Sequence, residues 1–293
     1  MSPTPVRPRI ARAAVSLVAA AAVAACADAP SAPLRPAPVT PRADISANTG
    51  DLLLALQQPA TGDLAYWVIR AGTVVATQPY GNVPAAWRIV GAGHLVVDPE
   101  TALLWHNATT GDLVAWYFGT SGTLDSTRAM PSAPLPWRVA AVADMNADGR
   151  SDLVWHDATS GSVIVWLMDG RTITSSVSLG AVPTDWRLAT AGDLDADGHP
   201  DLLWENTATG DRVAWRMTGT AVAATTALGT VPTSWSIVAV ADWDGDGHAD
   251  ILWQDAAASA LAVWRMNGLA YLSTLTPPSP PAPWRAAGAN VAP

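Results

Sequence analysis

The sequence predicts an all-β fold made of five four-stranded units, on three observations: a Trp repeat, strand-like segments between its members, and two chain ends that complement each other. One Trp series runs Trp87, Trp137, Trp186, Trp235 and Trp284; a second runs Trp67, Trp116, Trp166, Trp215 and Trp264; a third is Trp105, Trp155, Trp204 and Trp253. Fourteen of the 15 Trp therefore fall on a period of 49 or 50 residues, and only Trp243 is extra. Periods of this length mark solenoids or propellers. The segments are rich in Val, Trp and Thr and are punctuated by Gly or Pro at roughly 8–12-residue intervals, which favours strands over helical repeats.

The fourth unit shows the order of elements most clearly. Trp186 to Ala191 leads into an aspartate-rich loop, Leu202 to Glu205 is a short second run, and a turn follows at Asn206 to Gly210. Arg212 to Met217 then alternates, Thr218-Gly219 turns, and Ala221 to Leu228 makes a fourth segment. Four strands per unit is the content of a propeller blade. The first unit lacks its own opening Trp-Arg strand, because Pro38 stands where it should begin; the chain ends instead on a spare copy, Pro283-Trp284-Arg285 to Asn290. That strand is expected to complete the first blade and close a five-bladed ring over residues 47–293, removing the sheet edges that invite aggregation.

The N-terminus reads as an address. Arg7, Arg9 and Arg12 precede an apolar stretch from Ala13 to Ala25, too short and too Ala-rich for a membrane span, so residues 1–25 are expected to be a cleaved signal peptide. The single cysteine, Cys26, follows Val23-Ala24-Ala25, which resembles the lipobox of bacterial lipoproteins; the resemblance implies lipidation at Cys26. Ala27 differs from the Asp that retains such proteins on the inner membrane, so an outer-membrane lipoprotein, periplasmic or surface-exposed, is expected. Residues 26–46, rich in Pro and Ala, form the tether. One cysteine allows no internal disulfide, so packing and metal must hold the exported domain.

Three copies of one loop carry the clearest chemistry: Asp144 to Asp152, Asp193 to Asp201 and Asp242 to Asp250. They hold eleven of the chain's 25 acidic residues and dominate its net charge of -9. All 16 basic residues are Arg, spread without a run, which argues against nucleic acid as a partner. Side chains at alternate loop positions can converge on a hard cation, with Gly permitting the sharp turn. Position 12 of the loop is Trp155, Trp204 or Trp253 where an EF-hand needs a bidentate Glu, which excludes that site class.

The loop running into a short strand, as in Asp197-Gly-His-Pro-Asp201-Leu-Leu-Trp204, resembles the FG-GAP or VCBS-type repeat of integrin-like calcium-binding propellers and bacterial surface proteins. The resemblance covers about residues 48–293, with the full motif in units three to five; five units depart from the seven blades frequent in that family. It implies ligation by Asp144, Asn146, Asp148, the Arg150 carbonyl and Asp152; by Asp193, Asp195, Asp197, the His199 carbonyl and Asp201; and by Asp242, Asp244, Asp246, the His248 carbonyl and Asp250. In the second unit the four side-chain positions are His94, Val96, Asp98 and Ala102, which make no hard-cation cage, so three Ca2+ ions are expected. Asn146 should make the first of the three loops the weakest, within an extracellular range of about 10⁻⁴ to 10⁻³ M.

Repeating Trp is expected to be mainly core. The Pro-x-x-Trp-Arg motif pairs Trp87 with Arg88, Trp137 with Arg138, Trp186 with Arg187 and Trp284 with Arg285, a candidate surface for a glycan or a carboxylate. No catalytic set stands out. His106 and His156 share a position with Glu205 and Gln254, His199 and His248 belong to loops, and no G-x-S-x-G motif occurs. The expected function is a non-enzymatic, calcium-stabilised, lectin-like propeller anchored by lipid and binding an extracellular glycan or protein. The alternatives are a lyase-like carbohydrate-active enzyme using His94 or Glu100 near the degenerate second unit, and a purely structural envelope module.

Overall fold

The computed structural model describes residues 52–95, 101–118 and 124–291. The signal peptide, Cys26, the tether, and Val96, Asp98 and Glu100 lie outside the described residues. Three strands open the fold: β1 (Leu52–Gln57), β2 (Asp63–Arg70) and β3 (Thr73–Asn82). The second blade is β4 (Trp87–Gly93), β5 (Thr101–Asn107), β6 (Leu113–Phe118) and β7 (Leu124–Met130). The third is β8 (Trp137–Ala143), β9 (Asp152–Asp157), β10 (Ser162–Asp169) and β11 (Thr172–Ala181). The fourth is β12 (Trp186–Gly192), β13 (Asp201–Asn206), β14 (Asp211–Thr218) and β15 (Ala221–Thr230), and the fifth is β16 (Trp235–Ala241), β17 (Asp250–Asp255), β18 (Leu261–Asn267) and β19 (Ala270–Leu275). The last strand, β20 (Arg285–Val291), pairs antiparallel with β1 and completes the first blade.

The five sheets form a closed propeller. The inner strands touch in a ring, β20 to β4, β4 to β8, β8 to β12, β12 to β16 and β16 to β20. Five blades leave little room at the centre, and the inner strands are correspondingly built from small residues. A Cβ on Gly91 would lie 2.6 Å from the Val142 side chain, and one on Gly192 2.5 Å from that of Val240, closer than side-chain atoms pack. The Pro-x-x-Trp spacing also has a local cause: the Trp amide donates to the Pro carbonyl three residues back, as from Trp87 to Pro84 at 2.9 Å and from Trp186 to Pro183 at 2.9 Å. This β-turn delivers the chain onto each inner strand.

Packing follows the repeat. Trp105, Trp155, Trp204 and Trp253 are buried on the second strands, and each leans on the second-series Trp of its own blade with ring centroids 4.7–4.8 Å apart. The first blade carries Leu56 at this position, also buried. Trp243 is the second residue of its loop, where the other blades have Leu95, Met145 and Leu194, and all four are buried in the seam with the next blade. The extra Trp is therefore a member of a fourth periodic position that otherwise holds aliphatic residues.

Candidate functional site

The aspartate loops join each inner strand to the second strand of its blade. At their last position, Asp152, Asp201 and Asp250 are buried, and each fixes both oxygens on backbone amides. Asp152 accepts from Met145 at 2.9 Å and Met168 at 2.8 Å; Asp201 from Leu194 at 3.4 Å and Met217 at 3.1 Å; Asp250 from Trp243 at 3.1 Å and Met266 at 2.8 Å. The first Asp of each loop receives the amides that follow the turn: Gly149 donates to Asp144 at 2.7 Å, Gly198 to Asp193 at 2.9 Å and Gly247 to Asp242 at 2.9 Å. The glycines there have φ of 84°, 87° and 88°, a left-handed conformation that a side chain would strain.

This geometry concentrates negative charge. The carboxylates of Asp193, Asp195 and Asp197 lie within 4.8 Å of one another, as do those of Asp242, Asp244 and Asp250. In the third blade Asn146 takes the second position and donates to Asp148 at 3.1 Å. Burial, with the neighbouring loop carboxylates adding to it, pushes Asp152 and Asp201 up to about 6 and raises Asp250. A buried carboxylate so disfavoured, with Asp195 Oδ1 also buried and without a hydrogen bond, is the donor chemistry of a site that could hold a hard cation through oxygen. Arginines of the third strands take part of this charge: Arg216 meets Asp195 at 2.5 Å, and Arg265 contacts Asp244 and, at 3.2 Å, Asp246. Arg150 sits 3.7 Å from Asp148 and 3.4 Å from Asp169.

The second blade has no such loop among the described residues. Ala102 occupies the register of the buried Asp, and His94 is exposed, its backbone tied to Ser151 of the third blade through a 3.0 Å bond to Oγ and a 2.6 Å bond from the Ser151 amide.

The other end of the inner strands carries the Trp-Arg motif. Trp87, Trp137, Trp186 and Trp284 are half-buried; the first three open β4, β8 and β12, and Trp284 immediately precedes β20. Arg88 donates to the carbonyls of Ala85 and Trp87, and Arg187 pairs with Glu205. Arg285 bonds Ser259 Oγ at 2.8 Å and the carbonyls of Trp284 and Ala256. Arg138 is exposed and makes no hydrogen bond or ion pair with a described residue. Across from these arginines stand Gln57, His106, His156 and Glu205, and across from Ser236 stands Gln254. All five are buried. These five residues share one repeat position near the end of each second strand. In the fold it is the joint between blades: Gln57 donates to the Trp87 carbonyl at 2.7 Å, and Gln254 donates to the Trp284 carbonyl at 3.0 Å and accepts from Ala286 at 2.9 Å. His106 and His156 set their rings edge-on to Trp155 and Trp204 of the next blade. Nothing in a single sequence places neighbouring blades in contact, so that role was not readable from spacing.

A family model of the FG-GAP-like repeat matches residues 144–204 and again 193–253. These segments run from one aspartate loop through the buried Trp of the following blade. The aspartate loops belong to FG-GAP-like repeats. No curated protein matches the chain. Among solved structures, the chain is similar to a protein of unknown function from Bacteroides caccae, with 12% identity, 78% of this chain and 73% of that one covered, and a TM-score of 0.42. It is also similar to a nidogen/laminin complex chain, at 14% identity, 83% and 98% coverage and a TM-score of 0.45. Regucalcin from Agrobacterium tumefaciens, a calcium-binding protein, matches at 11% identity over 78% of each chain with a TM-score of 0.39.

Proposed function

We propose that this FG-GAP-like propeller is a non-enzymatic, calcium-stabilised module of the cell envelope, exported and lipid-anchored through Cys26, that binds an extracellular glycan or protein. One observation carries the reading. The loops after β12 and β16 each gather three carboxylates that could hold a hard cation, the loop after β8 repeats the motif with Asn146 in place of one Asp, and the opposite ends of the inner strands gather the Trp-Arg motif around the channel. A seven-residue strand separates the two features by about 20 Å. Metal and ligand would therefore use opposite faces, the metal holding the blades and the arginine face meeting the partner. Calcium at three loops would neutralise six of the negative charges that crowd one face.

The test is a glycan array probed with the full chain in calcium and again in chelator. Specific hits in calcium support the reading. An array without hits points to a structural envelope module, and turnover of a bound polysaccharide would replace the non-enzymatic assignment with a carbohydrate-active enzyme. Globomycin-sensitive processing and labelling by a radiolabelled fatty acid, lost in Cys26→Ser, would support the anchor; unchanged processing would refute it.

A further inference from the structure

A cavity of 470 Å³ runs along the channel, bounded by β4, β8, β12, β16 and β20. Its polar end is formed by Arg138, His156, Arg187, Ser236, Gln254 and Arg285. The volume falls within the roughly 300–1,000 Å³ of small-molecule pockets. Each inner strand is the last of its sheet, so one edge of its backbone has no strand partner. The amides and carbonyls of that edge need polar partners, which suits a hydroxyl-rich occupant better than an aliphatic one.

The charge at this end runs against the rest of the chain. The protein carries a net charge of -9, yet Arg138, Arg187 and Arg285 line this end together, and of the carboxylates around them Glu205 is already paired with Arg187 while Asp255 interacts with Arg285. The three are not equivalent. Arg285 spends its donors on Ser259, Trp284 and Ala256, and Arg187 spends one on Glu205. Arg138 spends none on a described residue. Its cross-strand neighbour His156 is 5% exposed, and Nε2 of that ring has no hydrogen bond. Thus an unused planar fork, matched in shape to a carboxylate, lines the same cavity as this imidazole, on which the Arg187 guanidinium acts while that of Arg138 acts on His106. The repeat also breaks here, because Ser236 on the fifth blade replaces the arginine.

We propose that the channel mouth binds the carboxylate of an acidic saccharide, with Arg138 as its principal contact and Gln254, Ser236 and the free strand edges receiving the hydroxyls. The inference rests on the glycan-binding reading and specifies its chemical class. A uronate supplies both parts, a planar anion for the guanidinium and a ring of hydroxyls for the polar edges.

Calorimetric titration of the full chain in calcium tests it, using galacturonate and glucuronate oligomers against neutral galactose and glucose oligomers of equal length. The acidic oligomers should bind at least ~10-fold more tightly, and Arg138→Gln should weaken them about 10- to 100-fold, the worth of a charge-assisted hydrogen bond. Arg128→Gln, on β7 and stacked on Tyr117, should leave binding unchanged. Because Arg138 has no internal bond to lose, its variant should melt like the parent. Equal affinity for neutral and acidic oligomers, or full affinity in Arg138→Gln, overturns the inference while leaving glycan binding intact. Binding to neither class overturns both. Acetate or sulfate competing as strongly as the oligomer overturns the saccharide assignment and reduces the site to a simple anion site.

Discussion

Replacing Glu205 with Gln should destabilise the fold by about 3 kcal/mol, and adding Arg212→Leu should recover most of it. Glu205 and Arg212 are 3% and 2% exposed, and their closest charged atoms are 3.5 Å apart. Glu205 also accepts the Ile237 amide at 2.5 Å, and Arg212 donates to the Trp235 carbonyl at 2.7 Å, both on the inner strand of the next blade. In the fifth blade Gln254 does both jobs alone, on Ala286 and Trp284, with Leu261 facing it where the fourth blade has Arg212. The first blade repeats that solution with Gln57 and Leu64. Glu205→Gln keeps the acceptor for Ile237 but strands a guanidinium whose burial already pulls its pKa down, and whose largest compensating charge is Glu205. Breaking one side of a buried pair costs about 3–5 kcal/mol, whereas replacing both sides by a well-packed apolar arrangement is often neutral. The exposed half of the Arg187 contact adds little. Urea unfolding of the parent and the two variants at fixed calcium gives the numbers from the midpoints, provided the slopes agree. A single variant within ~0.5 kcal/mol of the parent, or a double variant no more stable than the single, would refute this account of the joint.

Calcium removal should lower the melting temperature, because each saturated site contributes about 2.7 kcal/mol at one hundred times its Kd; an unchanged transition in chelator would sink the metal assignment. Leu194→Ala, which empties the seam under the fourth loop, should cost about 2–4 kcal/mol by urea unfolding. Burial, helped by Arg138, lowers the pKa of His106, and burial lowers that of His156 with Arg187 adding to it and Asp157 opposing. The folded state therefore binds fewer protons than the unfolded one, so this contribution is complete above the unfolded value near ~6.5 and is lost as pH falls toward the lower folded values. The difference in stability between parent and a His106→Gln, His156→Gln double variant should shrink or change sign between pH 8 and pH 5; a pH-independent difference would contradict it.

The Trp register made the blades legible because each blade must bury the same face against its neighbour, so the same large side chain returns at the same strand position. Pairing of Leu52 with Val291 fulfils the expectation drawn from the spare Trp284 strand. The fourth outer strand ends at Thr230 rather than Leu228, an exposed end where no burial constrains the sequence. What escaped the sequence lies between blades. The second loop residue, Leu95, Met145, Leu194 or Trp243, changes size and type while keeping one role, so a search for repeated identity passes over it. Likewise Arg216 and Arg265 stand 21 residues from the loop carboxylates they meet, and only the hairpin geometry brings them there.

The seam between the fifth and first blades explains why the one irregular Trp sits where it does. Closure occurs within the first blade without a covalent loop, since β20 and β1 come from opposite ends of the chain. The first blade has Leu53 in the register of the buried Asp and Leu56 in that of the buried Trp, so among the described residues it carries neither the buried carboxylate of the acidic loops nor the second-strand indole. Trp243 fills that deficit. It packs among Leu52, Leu54, Leu56 and Trp67 of the first blade and Leu252 and Val263 of its own. Elsewhere a loop fit for a cation and a medium-sized plug share the task of joining blades; where the next blade lacks the loop, apolar volume takes its place. Stability of the ring is thus distributed between charge and packing according to what each junction can hold, and on the arginine face the joints made by Gln57, Gln254 and the Glu205–Arg212 pair carry a structural duty from which Arg138 is spared.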